Sequence, residues 1–377
     1  MNRPFHVMQI IDSMSLGGAE VLLRDLTHAL LANEHRVSVC YNTDGPIAKE
    51  IEAMGVPITR LPRFGRVDLF LLWRIFSKIR QLKPDLVHTH LFKSDFHGRL
   101  AARLAGTPVV STLHNCHNWA KNPILGNIYG ANARLADHII AVSDEVRDYA
   151  IHYSHIDPKK ITTIANAIPL ARFEHNRSAG ALIRQEFNIP SGSPVIGIIA
   201  RLTEQKDHDN FLHAAQKILQ AAPETYFLIV GDGPLRASLI ALAVSLGIQN
   251  STIFCGNRQD IPAVMAALDI LVFSSRWEGL PVALLEGLAS SLSIVATHVG
   301  GVSGVIQNGV TGFLVPPADS DALASSCTSL VKDAALRERI GQAGYDHVQA
   351  NYGMDGMVNK TISLYRSLLQ EQKLSRL

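Results

Sequence analysis

Residues Ser274 to Gly287 read SSRWEGLPVALLEG, and the rest of the chain takes its meaning from this stretch. It follows an apolar run, Asp269-Ile270-Leu271-Val272-Phe273, of the kind that forms a strand buried in a parallel sheet. Trp277, Glu278 and Gly279 fall in a short loop. Pro281 stands where the first residue of a helix would stand, and the helical pattern continues to Leu288. Neither Gly279 nor Leu280 has a side-chain oxygen to cap that helix, so the amides of Val282, Ala283 and Leu284 are expected to be open to an anion. Glu278 lies beside the tip, and Glu286 lies roughly one and a half turns along. A positive tip flanked by two carboxylates suits a ligand with a diphosphate and hydroxyl groups at both ends. Spacing alone fits an ordinary strand-loop-helix unit with two surface glutamates equally well.

Similar strand-to-helix junctions recur on either side. The run Val195–Ala200 ends in Arg201, and Lys206 follows after a four-residue gap, just before the helical pattern His208–Gln220. Two cations beside a positive helix end make a diphosphate clamp that needs no metal; two solvated charges are the plainer alternative. Asp207-His208-Asp209 is a DxD triplet, a pattern that elsewhere binds a metal with a nucleotide. At a helix start, acidic residues offset the dipole without any ligand, so the triplet is discounted. Gly231 opens Gly231-Asp232-Gly233-Pro234 at the close of the next strand, and the backbone of Asn257–Pro262 could read a nucleobase edge. Gly300-Gly301-Val302 leads into another short helix.

Across the whole chain, β-rich runs alternate with helical patterns, the mark of parallel α/β layering. Seven runs are expected near His6–Ile11, Arg36–Tyr41, Ile58–Leu61, Asp85–His90, Pro108–Leu113, His138–Val142 and Ile161–Ile164. Six more follow the polar stretch His175–Ser193, from Pro194–Ala200 to Gly312–Val315. The expected division is one domain over 1–175, a second over 176–351, and a last helical segment over 352–377. Two doubly wound domains facing each other across a cleft would place ligands at the carboxyl ends of their strands.

The first half adds its own candidates. Gly17 and Gly18 let backbone approach a ligand just before a helix, although a bare glycine turn reads the same way. The pattern is not GxGxxG, and no acidic residue stands where an NAD ribose would need one, which weakens a dehydrogenase reading. His114 follows the strand Val109–Leu113, where it could hydrogen-bond a substrate hydroxyl. The spacing of His88, His90, His97 and His117 is too irregular to favour a metal site. The segment Arg66 to Arg80, with Trp73, Arg74 and Lys78, suits an anionic membrane interface or an ordinary helix covering the sheet.

Composition sets the outer limits. With 377 residues, 47% apolar and 18% charged, the chain can bury two cores and is not disordered. A net charge of +2 does not point to nucleic acid. Four dispersed cysteines read as free thiols in a reducing compartment. The N-terminus carries no signal-peptide pattern and no run has transmembrane length, so a cytoplasmic protein is expected, with contact at the inner face of a membrane left open.

Taken together, the residues resemble a retaining glycosyltransferase of family 4 with the GT-B architecture, two Rossmann-like domains across a cleft. The resemblance covers nearly the whole chain, through SLGGAE, HTH, TLHN, AVSD, ARLTEQKDH, IVGDGP, FCGNRQDI, SRWEGLPVALLEG and NGVTGFLVPPAD. It implies that Arg201 and Lys206 hold a donor diphosphate, that Glu286 holds the ribose, and that Glu278 and His114 meet the transferred sugar. It also puts Gly17, Gly18, Gly231, Arg258, Ile261, Gly279, Leu280 and Pro281 at the donor, with the loop Gly256 to Ile261 by the base. The co-substrate would be a nucleoside-diphosphate sugar, with no metal or other cofactor, and the acceptor a lipid-linked or saccharide one in cell-surface glycan synthesis. Family members often return their final helix to the N-terminal domain. Two departures stand out: Ser291-Leu292-Ser293 in place of the usual xGxPVVA, and Gly301-Val302-Ser303-Gly304 where a glutamate commonly follows the glycines. A sugar-nucleotide epimerase of the same architecture, a phosphorylase, and a non-catalytic sugar-nucleotide-binding module are the alternatives.

Overall fold

In this computed structural model, residues 3–64, 68–116, 118–173 and 177–375 are described. Arg66, Val67, His117 and the expected domain boundary at 175/176 lie outside them. The chain separates into one unit of 1–167 with 354–377 and another of 168–353. The first division therefore falls earlier than expected. Ile168 donates its amide to the Tyr352 carbonyl (3.1 Å) and pairs with Gly353, and the turn Leu170–Phe173 packs on the helix Val282–Ala289. These contacts hold the segment after Ala167 to the second unit.

The first unit holds β1 (His6–Ser13), β2 (Arg36–Thr43), β3 (Ile58–Arg60), β4 (Leu86–His90), β5 (Val109–Leu113), β6 (His138–Ala141) and β7 (Ile161–Thr163). All pair in parallel, in the order β3-β2-β1-β4-β5-β6-β7. β1 shows how the sequence builds two cores at once. Its side chains alternate across the sheet, so Val7 and Ile11 face one way and Met8 and Ile10 the other. The first set packs on the helices Gly18–Ala32, Pro46–Ala53 and Met354–Ser375, the last supplying Met357, Val358, Ile362, Tyr365 and Leu368. The second set packs on the helices Leu69–Leu82 and Phe92–Ala105. In Leu69–Leu82, Leu71, Ile75 and Ile79 recur every four residues and are buried, whereas Phe70 and Trp73 are 78% and 65% exposed. Burial on both faces explains why these strands are nearly continuous apolar runs.

The second unit holds β8 (Val195–Ile199), β9 (Tyr226–Val230), β10 (Thr252–Gly256), β11 (Ile270–Phe273), β12 (Ser293–Thr297) and β13 (Phe313–Val315). They pair in parallel in the order β10-β9-β8-β11-β12-β13. Ile196 and Ile198 of β8 meet Phe211, Leu212, Ala215 and Ile218 of the helix His208–Ala221. Cys40, Cys116, Cys255 and Cys327 are all free thiols. No helix among the described residues is long and apolar enough to cross a membrane.

Candidate functional site

In the second unit, the stretch after β11 closes on a buried carboxylate. Glu278 accepts hydrogen bonds from Ser275 Oγ (2.6 Å) and Gln205 Nε2 (3.5 Å) and is ion-paired with Lys206. Lys206 is therefore not a free cation beside the helix; it is bound to one of the two glutamates. Gln205 also donates to the Trp277 carbonyl (3.0 Å), and the Arg276 amide donates to the Gln205 carbonyl (2.8 Å). The loops after β8 and β11 are thus tied together at several points. Arg201, by contrast, is exposed at the end of β8 and enters none of the ion pairs among the described residues.

Glycine makes this crowding possible. At Gly300 (φ +49°), a Cβ would lie 2.1 Å from the Glu278 carbonyl oxygen, and the Gly301 amide donates to the Gly279 carbonyl at 2.6 Å. The paired glycines that lead into the next helix thus also pack against the Glu278 loop. Gly231 (φ +130°) would place a Cβ 2.1 Å from the Ala200 carbonyl oxygen, next to Arg201.

The helix tip differs in detail from the sequence expectation. Pro281 has φ −64° but ψ 126°, so it is the cap and the helix starts at Val282. The helix has no side-chain cap, as expected, but the Leu284 amide donates to the Pro281 carbonyl (3.2 Å) and is not available to a ligand. Leu280 is buried, and Glu286 is half-buried on the same helix. Arg258 forms ion pairs with Glu186 (2.6 Å) and Asp260 (2.7 Å), and these bonds drive its pKa up. Ile261 begins the helix Ile261–Ala267 beside it. The Arg258 guanidinium is thus engaged in ion pairs, which leaves the loop backbone as the part suited to a base edge.

Asp207 has φ +49° and accepts from Arg276 (3.0 Å), and His208 is buried, its pKa pushed down to about 4 by burial and then by Lys206. Among the described residues, no three His, Cys, Asp or Glu side chains gather as a metal group would.

In the first unit, Gly17 caps the helix Gly18–Ala32, with Gly18 its first residue. Glu20, which the sequence reading did not single out, turns back to accept from Ser13 Oγ and from Ser15 Oγ (3.2 Å). A glutamate at the third helical position was the available signal. Asp12 was also missed. It accepts from the Ser94 amide and hydroxyl (both 2.6 Å) and from the Lys93 amide (3.2 Å), capping a helix 80 residues further on, and burial raises its pKa. Between β4 and that helix, Leu91 is held at φ +71°, a strained conformation for a branched residue.

His114 is half-buried just after β5. With Leu91, Phe92, Trp119, Tyr129 and Tyr149, it lines a small, largely apolar pocket that opens to solvent. Beneath lies a sealed polar group: Arg99 pairs with Asp95 (3.2 Å) and donates to Tyr129, Asn132 and Ser111. His88 and His90 lie within hydrogen-bond networks and His97 meets the Lys93 carbonyl; none takes part in a metal group.

The comparisons agree with this construction. The family described as Glycosyl transferases group 1 matches residues 181–347, and Glycosyltransferase Family 4 matches residues 16–172. The sequence is 30% identical to the UDP-Gal:alpha-D-GlcNAc-diphosphoundecaprenol alpha-1,3-galactosyltransferase of Escherichia coli, over 71% of this chain and 72% of the relative. It is 26% identical to the N-acetyl-alpha-D-glucosaminyl L-malate synthase of Bacillus anthracis, over 81% of each chain. The crystal structure of Anabaena HepE in complex with UDP and glucose matches with a TM-score of 0.88, over 96% of this chain and all of that one, at 21% identity. The fold and the comparisons together define a glycosyltransferase of glycan biosynthesis. The chain belongs to family 4, with the GT-B fold.

Proposed function

We propose that the protein transfers a hexose from a nucleoside-diphosphate sugar to a lipid-linked glycan, with retention of the anomeric configuration and without a metal. The observation that carries the donor half is the buried Glu278, held by Lys206, Ser275 and Gln205 next to an uncapped helix tip. As the anomeric bond breaks, negative charge grows on the leaving diphosphate. Arg201, Lys206 and the tip amides are the fixed positive groups of this unit that suit it. Glu278 and His114 are assigned to the transferred sugar and Glu286 to the ribose. A uridine donor is favoured by the name of the Escherichia coli relative and by the UDP of the Anabaena complex. That relative's product linkage is alpha, as retention from an α-configured donor would leave it.

The acceptor half rests on the same relative's diphosphoundecaprenol substrate and on one surface of the first unit. Phe92, Phe96, Ile124, Leu125 and Ile128 are exposed on the consecutive helices Phe92–Ala105 and Pro123–Ala133, with Phe70 and Trp73 on the helix before them. Residues 69–136 hold nine Lys/Arg and two Asp, a net +7, whereas the whole chain carries +2. One of those two acids, Asp95, is sealed against Arg99. Arg74 pairs with Asp68 and Arg103 with Asp137, while Lys78, Arg80, Lys83, Lys93, Lys121 and Arg134 enter no ion pair among the described residues. Exposed apolar side chains with these cations suit an anionic lipid surface where a polyprenyl acceptor resides.

NMR of the first-formed product is the deciding experiment: an inverted anomeric centre would remove the retaining mechanism and the roles that go with it. Activity is expected to survive EDTA; loss on chelation with recovery on Mg²⁺ or Mn²⁺ would restore the Asp207–Asp209 triplet to consideration. Sedimentation with anionic vesicles tests the membrane contact, and a protein left wholly in the supernatant would refute it.

A further inference from the structure

Two of the three histidines at the ends of β4 and β5 are sealed from water: His88 and His90 are each 1% exposed, their rings 4.1 Å apart. His90 Nδ1 lies 3.1 Å from His114 Nε2, and His90 Nε2 lies 2.7 Å from Gln9 Oε1. His88 Nε2 meets Thr112 Oγ1 at 2.7 Å, and its Nδ1 meets the Tyr365 hydroxyl. Burial, and after it the neighbouring histidines, pushes His90 well below the usual imidazole pKa and His88 down to about 3. Both rings are neutral near pH 7, so each has one donor nitrogen and one acceptor nitrogen.

That restriction assigns the protons. A carbonyl oxygen only accepts, so His90 Nε2 carries the hydrogen that meets Gln9. His90 Nδ1 is then an acceptor, and His114 Nε2 must donate to it. The Gln9 amide nitrogen is buried and makes no hydrogen bond among the described residues, so the contact that ties this side chain to the histidines is the one through its oxygen.

We infer that Gln9 and His90 are positioning residues which hold His114 in its Nε2–H form, with Nδ1 as that ring's hydrogen-bond acceptor. The inference rests on the proposed contact between His114 and the transferred sugar. A ring held this way accepts from a sugar hydroxyl and does not donate to a phosphate oxygen through Nδ1. Neither Gln9 nor His90 needs to touch the substrate.

The test is long-range ¹H–¹⁵N NMR of the full chain, labelled with ¹⁵N in histidine, at a pH of about 8 where the rings are neutral. His90 and His114 are both expected in the Nε2–H form. Gln9→Met, which keeps the volume but removes the acceptor, is expected to release that preference in both rings. It should also lower kcat about tenfold with the donor KM within about twofold. An Nδ1–H form of His114 in the wild type would overturn the inference, as would unchanged spectra and kcat in Gln9→Met. Should Gln9→Met fail to fold, the wild-type spectrum still decides the tautomer. Full kcat in His114→Ala would overturn the sugar contact separately, since the spectra require no substrate.

Discussion

The two sheets share a strand order, third-second-first-fourth-fifth-sixth within each unit, yet they place opposite kinds of polarity at their strand ends. In the first unit the groups behind His114 are neutral rings, buried and tied to Gln9 and Tyr365, which lie 81 and 277 positions away in sequence. In the second they are charges on loops, Lys206 against Glu278 with Arg201 exposed nearby, packed close by glycine. Topology therefore fixes where chemistry can sit, while the loop residues decide what kind it is. The first arrangement suits orienting hydroxyls, and the second suits a ligand that carries or develops charge.

Removing one charge should break the second arrangement most severely. Lys206→Ala leaves the buried Glu278 without its cation and removes the donor proposed for the diphosphate. Donor kcat/KM should fall about 10²- to 10³-fold. A fall of less than tenfold in steady-state kinetics would mean that charge is not what this unit contributes. Gly300→Ala tests the packing around the charge. Its Cβ would meet the Glu278 carbonyl, so a destabilisation of about 1–3 kcal/mol is expected from urea unfolding. An unchanged midpoint would show that the loop relaxes freely.

Acid should distinguish the units more gently. His88, His90 and His208 have pKa values depressed by burial, so the unfolded chain binds more protons than the native one below the usual histidine range. Stability is therefore full above about pH 6.5 and is lost as pH falls toward 4, by up to about 1.4 kcal/mol per pH unit for each ring. His6, His35 and His138 are depressed by burial in the same direction, so urea titrations at several pH values should show the first unit, with five such rings, weakening before the second, with one. A flat profile would mean that the rings are already protonated in the native state. The smallest effect belongs to the surface: Trp73→Gln should change stability by no more than about 0.5 kcal/mol. The same substitution should lower affinity for anionic vesicles, and unaltered sedimentation would exclude Trp73 from that contact.

Much of this was legible in the sequence, because strands buried on both faces have to be apolar runs. All thirteen expected strands are present, each within a residue or two of its predicted ends. The uncapped helix after Gly279 was legible for the same local reason. The one-residue shift at Pro281 was not: proline fixes φ, whereas the observed ψ keeps it outside the helix. Contacts between distant residues were also hidden. The Lys206–Glu278 pair spans 72 positions, and Asp12 caps a helix more than 80 positions away. Arg258 was placed at the donor by the resemblance alone, and its ion pair with Glu186, 72 residues earlier, was hidden in the same way. His90 looked like one histidine among several, since nothing local ties it to Gln9.

The helix Met354–Ser375 belongs to the core of the first unit although 186 residues of the second unit precede it in synthesis. On the ribosome, residues 1–167 emerge early but lack Met357, Val358, Ile362, Tyr365 and Leu368, so the apolar face against β1 stays uncovered. Residues 168–353 are continuous and can fold as soon as they emerge. The order of maturation is therefore reversed relative to the order of translation. The half made first is completed only after the second has been made, once the helix Met354–Ser375 emerges to cover that face.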